Sequence, residues 1–151
     1  MRILYIAGVA AMLCGSLGTA WAEEAADENV EELARLAGRF ERTYNNAAGL
    51  EFREVRELTG NRSVVTSYDD VGNLLGSHTS TVRVELKGGV RVFTYFNLLV
   101  TAGPNKGHVS AAAQSYIYRL EGDTFIEAWG LLEGDRKPPR MFAWTRSKEG
   151  Q

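Results

Sequence analysis

Few residues of this chain are suited to chemistry, and their spacing excludes more than it offers. The only histidines are His78 and His108. Neither sits in a His-x-His or His-Glu-x-x-His arrangement, so no metal site is expected. His108 lies in "GPNKGHVS", a Gly/Pro/Asn stretch that reads as a surface loop. Cys14 is the single cysteine, and no Gly-x-Ser-x-Gly elbow presents a serine nucleophile. Two carboxylates stand out, because Glu54 and Glu127 each interrupt an apolar alternation. Either could act as a base in an isomerase-like or cyclase-like enzyme. The structural alternative is an ion pair, with Arg56 or Arg119 as the partner of Glu127. No catalytic residue and no cofactor is assigned.

Those residues must be positioned by strands, because the hydrophobic period after Gly38 is two and Gly, Asn and Asp punctuate it. The pattern predicts strands at Arg39–Tyr44, Leu50–Leu58, Arg62–Tyr68, His78–Leu86, Val90–Val100, Ala112–Leu120, Thr124–Leu131 and Arg140–Arg146. Turns fall at Thr59–Asn61, Asp69–Asn73, Lys87–Gly89, Glu121–Asp123 and Glu133–Pro139. Connections this short join antiparallel neighbours. Eight such strands leave two exposed edges unless the sheet closes, so the expected fold is all-β, an eight-stranded antiparallel up-and-down barrel. Ahead of it, "VEELARLAG" places Val30, Leu33 and Leu36 on one face of a short helix that stops at Gly38.

The first residues, "MRILYIAGVAAMLCGSLGTAWA", combine Arg2, an apolar run and Ala20-Trp21-Ala22. This is the layout of a secretory signal peptide over 1–22, with cleavage before Glu23 and an exported, periplasmic or secreted, product. The run is interrupted by glycines and falls short of a membrane span. Leu13 before Cys14 argues against a lipidated cysteine. Residues 23–37 form a leader and the short helix, and 38–149 one barrel domain. Both charge signs are interspersed, with a formal net charge of −2 for the whole chain. No basic patch marks a nucleic-acid partner.

In "QSYIYRLEGDTFIEAWG", Gln114 to Gly130, bulky residues stand at alternate positions on both sides of a Glu-Gly-Asp turn. Tyr116, Tyr118 and Leu120 share one face, and Ile117 and Arg119 the other. Tyrosines suit a pocket that is apolar with a few polar handles. Ordinary wall and core residues of a β-protein would show the same pattern. Phe52, Tyr95, Tyr116, Tyr118 and Trp129 are the candidate lining, with His78 or Arg119 as a polar handle.

The order helix, "LAGRFERTY", strand meander, "YIYRLEGDTF" and final "MFAWTR" resembles the lipocalin-like (calycin) small barrels, especially exported bacterial domains of unassigned function. In that family a Gly-x-Trp on the first strand packs against an arginine of the last. The matching positions are Gly38, Phe40 and Arg146, with phenylalanine in place of tryptophan. The resemblance implies barrel closure by these three and an interior that binds a small apolar or amphipathic molecule. In the haem-binding barrels this fold also resembles, a residue placed like His78 could serve as an axial ligand. A filled barrel working as an interaction module, through its outer aromatic face or the loop Thr101–His108, is the other reading. Oligomeric state is left open.

Overall fold

The computed structural model describes residues 29–132 and 138–148. The expected signal peptide at 1–22, the leader up to residue 28, most of the turn Glu133–Pro139 and residue 149 lie outside the described residues. A helix, α1, covers residues 29–36. Nine strands follow: β1 (Gly38–Asn45), β2 (Glu51–Thr59), β3 (Arg62–Tyr68), β4 (Leu74–Lys87), β5 (Val90–Ala102), β6 (Val109–Ser110), β7 (Gln114–Glu121), β8 (Thr124–Trp129) and β9 (Arg140–Arg146).

Eight of them form a closed antiparallel barrel in the order β1-β2-β3-β4-β5-β7-β8-β9, with β9 returning to β1. The closing seam is short, Phe40 opposite Arg146 and Glu41 opposite Thr145. Val55 opposite Glu41 illustrates the regular register on the other side of β1. The unexpected ninth strand, β6, is a two-residue piece against Leu98 and Leu99 of β5. It forms where β5 has passed the end of β7, whose pairing with β5 begins at Tyr95 opposite Gln114. Asn97, at φ 52°, sits at an irregularity in the β4–β5 register. A bulge of this kind bends the strand, and beyond it β5 stays paired with β4 but no longer with β7.

Strand edges differ from the sequence reading where the alternation fades. β4 starts at Leu74, four residues before His78, because "LLGS" lacks a two-residue period but gains ladder partners on β3. β8 stops at Trp129, not Leu131, since Gly130 takes φ 74°. Val30, expected on the buried helix face, is exposed at 64%. Beside it Asn29 ties the first turn down, its Oδ1 accepting the Val84 N–H at 3.1 Å.

The helix plugs one end of the barrel. Leu33 and Leu36 are buried against the cluster of Phe40, Leu58, Val82, Val84, Phe93 and Phe125. Arg146 of β9 locks the plug: its guanidinium carbon lies 4.5 Å from the centroid of Phe40, and its N–H groups donate to the carbonyls of Ala37 and Arg35. These are the carbonyls a helix leaves unpaired at its C-terminus, where a cation is also favoured by the helix dipole. Gly38 turns the chain into β1 at φ 128°, a conformation side chains rarely adopt. A Cβ there would meet Arg146 Nη1 at 2.6 Å.

Gly38→Ala is therefore expected to destabilise the protein by about 1–3 kcal/mol in urea unfolding. In an Arg146→Ala background the same change costs less, because the collision disappears and only the backbone strain is left; equal costs in the two backgrounds would refute this coupling.

Candidate functional site

The helix-plugged end is packed, and the opposite half of the interior holds a cavity of about 170 Å³. The division follows from one buried cation. Arg56 on β2, opposite Phe40 of β1, points inward and is nearly fully buried. It crosses the barrel to the Glu127 carboxylate on β8, and its Nη1 donates to the Tyr116 hydroxyl on β7 at 3.1 Å. Glu127 is 1% exposed, and its other oxygen accepts the Trp129 indole N–H at 3.1 Å. A buried ion pair holds only when further hydrogen bonds satisfy both partners. Tyr116 and Trp129 supply them for Glu127 and one end of Arg56, while Arg56 Nε has no partner among the described residues. The guanidinium carbon also lies 4.3 Å from the Trp144 ring centroid. Arg42 approaches the same indole at 4.4 Å, so two cations share one aromatic ring. Arg42 is in turn held by Glu54, Nε to Oε2 at 2.7 Å. The four charges cancel in two pairs.

The cavity above Arg56 has two unlike walls. On one side the rings of Phe93, Tyr116 and Trp129 form a stack, with centroids 5.0 and 4.8 Å apart and planes within 20°. The register explains it: Phe93 faces Tyr116 across β5 and β7, and Tyr116 neighbours Trp129 on β8. Tyr95 closes the upper edge 5.9 Å from Trp129, its hydroxyl donating to Gln114. Burial, next to the Glu127 carboxylate, pushes the Tyr95 hydroxyl up to about 12. Tyr116, fully buried, is raised further for the same first cause.

The other wall comes from β3 and β4, where Ser63 faces Ser80 and Val65 faces His78 in the ladder. The two hydroxyls and the His78 ring engage no hydrogen-bond partner among the described residues. They are also not among the side-chain atoms sealed from solvent. Burial, then the Arg56 charge, lowers His78 from its usual 6.5. Above about pH 6.5 the imidazole therefore faces the cavity in its neutral form.

Of the seven ligand-site candidates named from the sequence, Tyr95, Tyr116, Trp129 and His78 line this cavity, as do the two carboxylates singled out there, Glu54 and Glu127. Three do not. Arg119 points outward, 74% exposed in its side chain and paired to Glu121 at 2.7 Å, because alternation along β7 puts Tyr116 and Tyr118 inside. Tyr118 belongs to the plugged end, donating to Glu32 of α1 at 2.9 Å. Phe52 sits outside the cavity, stacked on the half-exposed Tyr44. Glu127 takes Arg56, not Arg119, as its partner, and each of its oxygens accepts a hydrogen bond, the arrangement of the ion-pair reading. Sequence reasoning missed Arg42, Ser63, Ser80, Phe142 and Trp144. The inward parity of Phe40 could have flagged Arg42 two residues on, but a serine inside a barrel carries no pattern of its own.

The enclosed part of the cavity has room for about one small ring. About 170 Å³ compares with the roughly 150 Å³ that encloses one benzene, and lies below the roughly 300 Å³ of typical ligand pockets. Among the described residues no group of three metal-ligating side chains occurs. Comparison with protein-family models, with curated proteins and with solved structures gave no match to this chain.

Two outcomes test the electrostatics. Glu127→Ala strands a buried guanidinium and is expected to cost about 3–5 kcal/mol in chemical unfolding, whereas Arg56→Met with Glu127→Leu restores much of that loss. For His78, the unfolded chain takes up the proton at about 6.5 while the folded protein resists it, so stability falls as pH drops below 6.5 and levels off once folded His78 is protonated. His78→Gln should flatten the decline of unfolding free energy between about pH 7 and pH 5; an unchanged slope would contradict the assignment.

Proposed function

We propose that this protein is an exported, lipocalin-like barrel that binds one compact amphipathic molecule in the open half of its interior. The observation that carries the reading is the cavity itself. One wall is an aromatic stack and the other carries Ser63, His78 and Ser80, which have no hydrogen-bond partners among the described residues, the composition of a site and not of a packed core. The signal-like first 22 residues and the closed calycin-like barrel support the same reading. Exposed apolar side chains from the loops at the open end, Leu50, Val71, Leu74 and Leu131, would let an apolar substituent extend outward from a ring seated inside.

The ligand is small, so its affinity is modest. A molecule with fewer than about ten heavy atoms is expected to bind with Kd of about 0.1–1 mM at a well-matched site. Native mass spectrometry on the protein isolated from the exported fraction reads both halves of the proposal. The expected spectrum shows a chain beginning at Glu23 that gains single adducts of 4-ethylphenol-sized molecules, and none of haem or a sterol. A chain retaining residues 1–22, or no saturable adduct with any single-ring compound, would overturn the respective half.

A further inference from the structure

Resting on that reading, the site also constrains the charge and polarity of what it binds. Two guanidiniums line the cavity, yet each is already held by a carboxylate, Arg42 by Glu54 and Arg56 by Glu127. A ligand anion would displace a paired carboxylate or be buried beside one. A ligand cation would meet Arg42 and Arg56 with no free counter-charge. Either arrangement buries an unpaired charge, the most costly event available to a small site.

What the cavity leaves open is neutral. Ser63 and Ser80 present hydroxyls that donate and accept, and His78 presents an imidazole that does both in its neutral form. Strand pairing sets these three side by side on β3 and β4, across the barrel from Trp129 and Phe142 of β8 and β9. The space between is the size of one ring. We infer that the ligand is an uncharged planar ring bearing a group that both donates and accepts hydrogen bonds, a phenolic hydroxyl being the simplest. Its face lies against Tyr95 and Trp129 and its polar edge reaches Ser63, His78 and Ser80.

The test is a panel of near-isosteric compounds, 4-methylphenol, toluene, benzoate and benzylammonium, titrated into the protein at about pH 7.5. Tryptophan fluorescence and backbone amide shifts are the readouts. The expected order puts 4-methylphenol at least about fivefold tighter than toluene, since one hydrogen bond to a neutral partner contributes about that much, and more than about tenfold tighter than either ion, since an ion buries an unpaired charge. Ser80→Ala and His78→Leu should each bring 4-methylphenol toward toluene while leaving toluene unchanged. Near-UV circular dichroism checks that each variant folds, and Ser80→Ala alone decides the matter if His78→Leu does not. Equal binding of toluene and 4-methylphenol, or a preference for benzoate or benzylammonium, would overturn the inference and leave the binding barrel standing. Failure of all four to bind would remove both.

Discussion

A guanidinium held in the middle of a barrel governs what can stand above and below it. Arg56 cannot be withdrawn to water from the inner face of β2, so the barrel must bring it a carboxylate and a hydroxyl, and β8 and β7 do so with Glu127 and Tyr116. Those two strands lie 60 to 71 residues further along the chain. Below the pair the interior is sealed by apolar side chains and the helix plug. Above it the lining alternates charge, hydroxyl and aromatic ring. Such a mixture cannot interdigitate as densely as leucine and valine do, which leaves a hollow where an eight-stranded barrel could have been filled.

Aromatic rings accommodate this arrangement because they serve two roles. Trp144 offers its face to both Arg42 and Arg56, and the stack of Phe93, Tyr116 and Trp129 carries an apolar surface from the plugged end to the open one. Trp129 joins the two systems, since its ring ends the stack and its N–H fixes Glu127. The polarity of the interior and the shape of the cavity are thus one design: the residues that neutralise the buried charge are also the walls of the site.

Closure at the other end follows a separate logic. The β1–β9 seam has few ladder pairs, and Arg146 reinforces it by stacking on Phe40 and taking the last carbonyls of α1. Phenylalanine serves this contact because it offers the guanidinium an aromatic face.

Much of the fold was legible in the sequence. A two-residue hydrophobic period, interrupted by glycine-centred turns, dictates strands and short antiparallel connections whatever their later packing, and the eight staves of the barrel follow from it. That Tyr116, Tyr118 and Leu120 share one face of β7 was legible too, as was the aromatic character of Tyr95, Tyr116 and Trp129, but which face turns inward was decided by the closed barrel. Periodicity does not reveal which residues meet across a barrel, so the choice of Arg56 over Arg119 for Glu127, the pair of Arg42 with Glu54, and the facing pair Ser63 and Ser80 were decided by tertiary structure. Nor could it separate Tyr118 in the plug from Tyr116 in the cavity, two residues apart on one face. Face is a local property set by the alternation of the backbone, whereas depth, partner and free volume depend on the curvature and stagger of strands far apart in the chain.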